Sequence, residues 1–230
     1  MELTLPLPEG PILLQGPVGA LEVFVDRPRG EPSAMAIVLH PHPTQGGTAE
    51  HKVPATLAKG LADIGFLVLR PNFRGVGRSA GEHASAGGEA DDVRQLADAL
   101  RAAHAKLELA LVGFSFGAFV AAKVAKQMAE AGHPLRRVAL AGLPYGNVRG
   151  SQVYDTPSGI PGALVVHGER DDRVPLASVL DWARLDGQPV VVVPGADHFF
   201  KGRLVVLRSL VADHLAPLAD RRQPTVRRST

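Results

Sequence analysis

The chain has 230 residues, which suits a single domain with a sizeable buried core. Hydrophobic residues make up 45% of it and charged residues 21%, as in ordinary globular proteins, and no segment is apolar enough to predict a membrane-spanning helix. The absence of cysteine excludes disulfides, thiolate metal sites and a cysteine nucleophile.

The formal net charge is only +2, and its distribution argues against a nucleic-acid partner. Four arginines lie in residues 221–230, and removing their four charges from the total of +2 leaves −2 for the remainder. The Pro, Thr, Ser and Arg content of this segment predicts a disordered basic tail after a single domain, 1–220. Residues 1–14 contain prolines and acidic residues but no basic residue, unlike a signal peptide, so a cytoplasmic protein with no membrane partner is expected.

Short runs rich in Val, Ile and Leu alternate along the chain with longer stretches of helical composition. The apolar runs predict buried strands at 21–25, 34–39, 66–69, 107–112, 137–140, 163–166 and 190–193. The stretches between them predict helices at 50–64, 89–105, 116–131, 176–185 and 203–215. This alternation favours an α/β fold with a mostly parallel sheet covered by helices on both faces. Ligands bind beyond the carboxyl ends of such strands, so functional residues are expected directly after strands.

The pentapeptide Gly-Phe-Ser-Phe-Gly at 113–117 stands between a predicted strand and a predicted helix. A Gly-x-Ser-x-Gly at such a junction is typical of the nucleophile elbow of α/β-hydrolases, where a strained turn exposes the serine hydroxyl. A side chain at position 113 or 117 is expected to make the entering strand and the leaving helix collide. The pattern predicts Ser115 as a nucleophile, and a serine in an ordinary Gly-rich turn is the alternative.

A serine nucleophile needs a base, and the base needs an orienting acid. The predicted strand 163–166 is followed by two carboxylates, of which Asp171 is predicted to be the acid and Asp172 a surface or capping residue. The predicted strand 190–193 is followed by His198, the predicted base. A helix-capping Asp171 and an ordinary loop histidine are the alternatives. The chain order Ser, Asp, His is that of the α/β-hydrolases.

Acyl transfer also needs N–H donors aimed at the developing oxyanion. The first is predicted to be the backbone N–H of Phe116, the residue after the nucleophile. The second is expected from residues 40–47, where two prolines have no N–H, so His42 is the leading donor and Thr44 the next. A zinc site on His40 and His42 is disfavoured, because no nearby Cys, Asp or Glu completes a set of three ligands.

The segment 72–79 contains two glycines but does not match a phosphate-binding loop. It lacks the Gly-Lys-Ser/Thr end of a P-loop and the full Gly-x-Gly-x-x-Gly of a dinucleotide site. A tight turn is predicted instead, in which Arg74 pairs with Asp91 or Asp92 at the start of the next helix.

Together, five motifs resemble those of small bacterial serine α/β-hydrolases related to dienelactone hydrolases and carboxylesterases. The motifs are HPHPTQGG at 40–47, NFRGVGRS at 72–79, GFSFG at 113–117, HGERDDRVP at 167–175 and GADHFF at 195–200. The resemblance covers about residues 20–215 and implies an α/β-hydrolase fold with a catalytic triad and an oxyanion hole. Matching motifs give the triad as Ser115, Asp171 and His198 and the oxyanion hole as Phe116 and His42.

The chain departs from the family at two points. Dienelactone hydrolases proper use a cysteine nucleophile, so ring opening of dienelactones is not implied, and Asn72 stands where many relatives have Asp. Residues 141–161 are too short for the helical lid of other members, so an open cleft is expected. Phe114, Phe199 and Tyr145 are expected to line this substrate cleft, with a core position as the alternative for the phenylalanines.

The sequence therefore predicts a lidless serine hydrolase that cleaves short-chain carboxylic esters or thioesters through an acyl-enzyme, without a metal or organic cofactor. The alternatives are an acyltransferase or cofactor-free perhydrolase with the same triad, and a non-catalytic binding protein of the same fold. A peptidase is disfavoured, because the chain has no segment long enough to form a domain that restricts access. A small-molecule ester is the predicted partner, and the chain is expected to be a monomer or a homodimer.

Overall fold

A computed structural model describes residues 1, 3, 6–148 and 152–219, and within them ten strands and five helices are found. The strands are β1 (Gly10–Gly16), β2 (Gly19–Asp26), β3 (Ala34–Leu39), β4 (Phe66–Pro71), β5 (Leu109–Phe114), β6 (Val138–Ala141), β7 (Gly146–Val148), β8 (Gln152–Tyr154), β9 (Ala163–Gly168) and β10 (Val190–Val193). The helices are α1 (Lys52–Asp63), α2 (Gly87–Ala103), α3 (Phe116–Glu130), α4 (Leu176–Arg184) and α5 (Leu204–Ala219). The predicted basic tail, 221–230, lies outside the described residues.

Eight strands form one sheet in the order β1-β2-β4-β3-β5-β6-β9-β10. The six strands from β4 to β10 in this order are parallel, whereas β1 and β2 are antiparallel at one edge. All seven predicted strands and five predicted helices are present, and the mostly parallel sheet is confirmed. Sequence patterning does not predict β1, because this edge strand alternates between half-buried and exposed residues and has no continuous buried run. It also does not predict the short hairpin of β7 and β8.

Both faces of the sheet are buried under helices. Along β3, Met35 and Ile37 pack into a core shared with α2, α3 and α4. Ala36 and Val38 point to the opposite face and pack into a second core shared with α1 and α5. Because successive side chains of a strand point to opposite faces, one continuous apolar run supplies both cores. Among the described residues, no helix has the length and hydropathy of a membrane-spanning segment.

The strand order places a crevice at the carboxyl ends of β3 and β5. Within the sheet, β4 lies next to β3 on one side and β5 lies next to β3 on the other. The chain runs from β3 to β4 and later crosses back to form β5. The loops that leave β3 and β5 therefore diverge and open a crevice between them. Ser115 directly follows β5, while the loops after β9 and β10 reach the same edge of the sheet.

Candidate active site

Ser115 occupies a sharp turn between β5 and α3, with φ 55° and ψ −122°. A non-glycine residue rarely adopts a positive φ, so this backbone is strained. A β-carbon at Gly113 would lie less than 3.0 Å from backbone atoms of α3, as predicted. A β-carbon at Gly117 would instead meet the carbonyl oxygens of Leu39 and His40. Gly117 thus allows the helix to approach the end of β3, a different neighbour from the strand that sequence reasoning expected.

The structure brings Ser115, His198 and Asp171 together in an unbroken chain of hydrogen bonds. His198 Nδ1 lies 2.7 Å from Asp171 Oδ2, and because a carboxylate only accepts, Nδ1 carries the hydrogen. His198 Nε2 is then the acceptor for the Ser115 hydroxyl, whose Oγ lies 3.0 Å away. A histidine held in this tautomer can take the serine proton as the oxygen attacks a carbonyl carbon.

Asp171 is held as an ionised acceptor. Its Oδ1 accepts hydrogen bonds from the backbone amides of Arg173, at 2.9 Å, and Val174, at 2.8 Å. Burial opposes ionisation, but the hydrogen bonds from His198 and the Val174 amide outweigh it and lower the pKa of Asp171. The neighbouring Asp172 is exposed. Of the two predicted carboxylates, Asp171 is therefore the one that bonds the histidine.

The two predicted oxyanion donors lie on adjoining segments. Phe116 is the first residue of α3, so its amide has no carbonyl four residues earlier in the helix to bond. His42 lines the same cavity as Ser115, and its ring packs on that of Phe116 with centroids 4.9 Å apart. The Thr44 amide donates to His42 Nδ1 at 3.3 Å, which engages the second candidate within the turn. The backbone amides of Phe116 and His42 stay the predicted oxyanion donors.

His40 links the loop after β3 to the loop after β4, a role that sequence reasoning did not assign. Its Nδ1 donates to the Pro41 carbonyl at 2.7 Å, and its Nε2 accepts from the Phe73 amide at 3.0 Å. Burial lowers the pKa of His40 to about 3, so the ring is neutral at physiological pH. Both nitrogens are engaged, which leaves no lone pair for a metal. The described residues contain no group of three or more His, Asp or Glu side chains arranged to hold a metal ion.

The loop after β4 is fixed by two buried polar contacts. Arg74 donates to both oxygens of Asp92 at 2.9 Å, which confirms the predicted ion pair and selects Asp92 as its partner. The side-chain amide of Asn72 donates from Nδ2 to Glu22 Oε2 at 2.8 Å. Its Oδ1 accepts from the backbone amide of Ala49 at 2.7 Å. An aspartate at 72 would place two carboxylates in contact, so the Glu22 neighbour accounts for the asparagine in this chain.

The sequence matches the family model for serine aminopeptidase, S33, over residues 32–146, which are half of the chain. An uncharacterized protein of Rickettsia prowazekii, RP471, is 33% identical over 216 residues, covering 89% of this chain and 87% of that protein. The chain belongs to this family of serine hydrolases. In an α/β serine hydrolase homologue from Coxiella burnetii, 36% identical, the match covers 92% of this chain and 100% of that chain, with a TM-score of 0.81. XC6422 from Xanthomonas campestris, an α/β serine hydrolase without a lid, is 32% identical over 94% and 97% of the chains, with a TM-score of 0.82.

These relatives confirm the α/β-hydrolase fold predicted from the motifs. The hydrolase has a cavity of about 240 Å³ at Ser115. The side chains that line it are His42, Gln45, Ser115, Pro144, Val148, Tyr154, Asp172, Arg173, Val174 and His198. Val148 and Tyr154 belong to the β7–β8 hairpin, so this short insertion forms part of the wall. A larger cavity of about 520 Å³ lies near the amino ends of β5 and β6 and contains none of the three hydrogen-bonded residues.

The aromatic residues expected to line the cleft of the hydrolase do not line this cavity. Phe114 is fully buried, because the last side chain of β5 points into the core shared with α1 and α5. There its ring packs at a tilt against the His198 ring, with centroids 5.2 Å apart. Phe199 is 37% exposed and packs edge-on against His198 at 5.1 Å. Tyr145 packs against the core of the opposite face. The aromatic wall is formed by Tyr154 instead.

Proposed function

We propose that this hydrolase cleaves carboxylic esters or thioesters with short acyl groups, through an acyl-enzyme formed on Ser115. The observation that carries the proposal is the hydrogen-bond chain from Ser115 through His198 to Asp171, which begins on a strained turn. Strained backbone is kept where the surrounding structure enforces it, and such sites are commonly functional.

In the acylation step, His198 Nε2 takes the hydroxyl proton as Ser115 Oγ attacks the ester carbonyl carbon. The imidazolium that forms is stabilised by its Nδ1–H bond to Asp171. The oxyanion is bound by the backbone N–H groups of Phe116 and His42, and each such donor contributes about 10²- to 10³-fold in rate. The imidazolium then gives its proton to the leaving alcohol or thiol as the carbon–oxygen or carbon–sulfur bond breaks.

In the deacylation step, water attacks the acyl-enzyme and His198 removes its proton, which releases the acid and restores Ser115. The side chains supply the nucleophile, the base and the orienting acid. The mechanism therefore calls for no metal or organic cofactor.

The cavity supports a small acyl group. Its volume of about 240 Å³ is below the roughly 300–1,000 Å³ typical of sites for drug-sized ligands. Val148 and Tyr154 form an apolar part of its wall, whereas His42, Gln45 and Arg173 provide polar groups. Acetyl to hexanoyl esters are expected to be better substrates than palmitoyl esters.

Hydrolysis of p-nitrophenyl esters, from acetate to palmitate, tests the proposal. Replacing Ser115 with alanine is expected to lower kcat by about 10⁶-fold, and Asp171→Asn by about 10⁴-fold. Asp181→Asn is the control: it removes an exposed carboxylate on α4 that does not line the cavity, and it should change kcat little. Equal activities for the wild type and Ser115→Ala would refute the acyl-enzyme.

Further assays of the wild-type protein distinguish the alternative functions. Adding an alcohol or hydrogen peroxide as a second acceptor reveals an acyltransferase or perhydrolase, if ester or peracid formation exceeds hydrolysis. Cleavage of aminoacyl p-nitroanilides in preference to esters would favour a peptidase, the activity in the name of the family. A folded wild type that does not react with a fluorophosphonate would favour a binding protein.

A further inference from the structure

A second buried histidine lies beside the triad carboxylate. His167, the penultimate residue of β9, is fully buried, and its Nε2 lies 3.0 Å from the Val174 carbonyl oxygen. The same Nε2 lies 3.5 Å from Asp171 Oδ2, the oxygen that bonds His198. The proposed mechanism gives this histidine no role, although it contacts both ends of the turn that carries the acid.

The contacts fix the tautomer of His167. The Val174 carbonyl and the Asp171 carboxylate can only accept hydrogen bonds, so Nε2 must carry the hydrogen. Nδ1 is buried and has no hydrogen-bond partner among the described residues. A hydrogen there would be a buried, unsatisfied donor, which is unfavourable. Burial accordingly lowers the pKa of His167 and favours the neutral ring.

The two oxygens of Asp171 are held in different ways. Oδ1 accepts from the backbone amides of Arg173 and Val174, which belong to the turn itself. Because both donors belong to this turn, they orient the carboxylate firmly only if the turn itself is held in place. Val174 is the link, because its amide donates to Asp171 Oδ1 while its carbonyl accepts from His167.

We propose that His167 is a positioning residue for Asp171: its Nε2–H holds the Val174 carbonyl, and so directs the Val174 amide at Oδ1, while the same N–H faces Oδ2. The inference rests on the proposed function, since it concerns the acid of that triad. His167 does not touch the substrate or the serine. It acts through the orientation of Asp171, and hence of the His198 ring.

Nitrogen-15 NMR of the intact protein tests the tautomer directly. The His167 ring is expected to be neutral, with hydrogen on Nε2 and none on Nδ1, throughout the pH range in which the enzyme is active. A ring that carries its hydrogen on Nδ1, or on both nitrogens, would overturn the inference. This measurement needs no substitution, so it decides the question even if variants at this buried position fail to fold.

Two variants of similar size separate positioning from packing. His167→Gln keeps an N–H near the Nε2 position, whereas His167→Met fills the same space without a donor. The methionine variant is expected to lose about 10- to 100-fold in kcat at unchanged KM, which is the range for one hydrogen bond to a charged group. The glutamine variant is expected to keep a kcat near that of the wild type. The low-field proton resonance of His198 Nδ1–H should persist with glutamine and broaden with methionine.

His214→Met provides the matched control. The His214 Nε2 also bonds a backbone carbonyl, that of Gly162 at 3.0 Å, but it lies on α5 away from the triad. This control should leave kcat and the low-field resonance unchanged. Wild-type kcat in His167→Met, or equal losses in the glutamine and methionine variants, would overturn the inference while the proposed function stands. Unchanged activity in Asp171→Asn would instead overturn the proposed function itself.

Discussion

The Nε2 atom of His40 accepts a hydrogen bond of 3.0 Å from the backbone amide of Phe73, and the two rings pack with centroids 4.3 Å apart. This contact joins the loop after β3, which carries His42, to the loop after β4. Because the ring is fully buried and neutral, the junction depends on a histidine that cannot take up a proton without losing its acceptor.

Replacing His40 with glutamine is expected to reduce the slope of the free energy of unfolding against pH on the acid side. The reduction corresponds to about one fewer proton taken up on unfolding. The unfolded chain binds a proton on His40 below its ordinary pKa of 6.5, whereas the folded chain does not until about pH 3. The stability from this group is therefore fully present above pH 6.5 and is lost as the pH falls from 6.5 toward 3, by at most about 1.4 kcal/mol per pH unit. Urea unfolding between about pH 4 and 7 measures the slope.

The exposed His133 is the control for this measurement. His133→Gln is a surface substitution and should change the free energy of unfolding by less than about 0.5 kcal/mol. The difference in free energy of unfolding between the wild type and His40→Gln should be largest above pH 6.5 and should become smaller in acid. A difference that does not vary with pH would contradict a neutral, buried His40 ring.

The strained backbone of Ser115 is expected to lower the stability of the hydrolase. Glycine adopts a φ of 55° without strain, whereas alanine does not. Ser115→Gly should therefore be about 1 kcal/mol more stable than Ser115→Ala in guanidinium unfolding. Both variants lack the serine hydroxyl, so the comparison isolates the backbone. An alanine variant as stable as the glycine variant would argue against strain at this turn.

Gly117→Ala is expected to destabilise the protein by about 1–3 kcal/mol and to abolish ester hydrolysis. The new methyl group would overlap the carbonyl oxygens of Leu39 and His40, which are backbone atoms and cannot rotate away. Moving them would shift the loop that carries His42. Urea unfolding and p-nitrophenyl acetate hydrolysis measure the two effects. Gly87→Ala, where nothing lies within 4 Å of the added carbon, should change neither, and similar losses in both variants would be inconsistent with a local clash.

Arg74→Ala is expected to lower the free energy of unfolding by about 3–5 kcal/mol, because it leaves the Asp92 carboxylate buried and unpaired. Arg94→Ala is the control, because it removes an ion pair within one helix, i,i+4, whose partner Asp98 is half-exposed. This change should lower the free energy of unfolding by only about 0.3–0.5 kcal/mol. Urea unfolding measures both, and an unchanged midpoint in Arg74→Ala would contradict a structural ion pair. Replacing Arg74 and Asp92 together by Met and Leu should recover part of the loss.

Local sequence was sufficient for seven of the ten described strands, for the five described helices and for the order of the candidate triad. Buried parallel strands require apolar runs, and Ser115 could be recognised because its glycines stand between such a run and a helix. Asp171 and His198 could be predicted because the carboxyl ends of parallel strands meet at one edge of the sheet, wherever the strands lie in the chain.

Tertiary structure alone decided which side chains face the cavity and which neighbours they meet. Phe114 was predicted to line the cleft, but the alternation along β5 points it into the core. Tyr154 reaches the cavity through a hairpin that local patterning did not predict. The Phe73 amide that His40 accepts from is a backbone group of another loop, and every residue type except proline supplies such a group. Contacts of this kind are set by how distant elements pack, so the identities of neighbouring residues in the chain do not encode them.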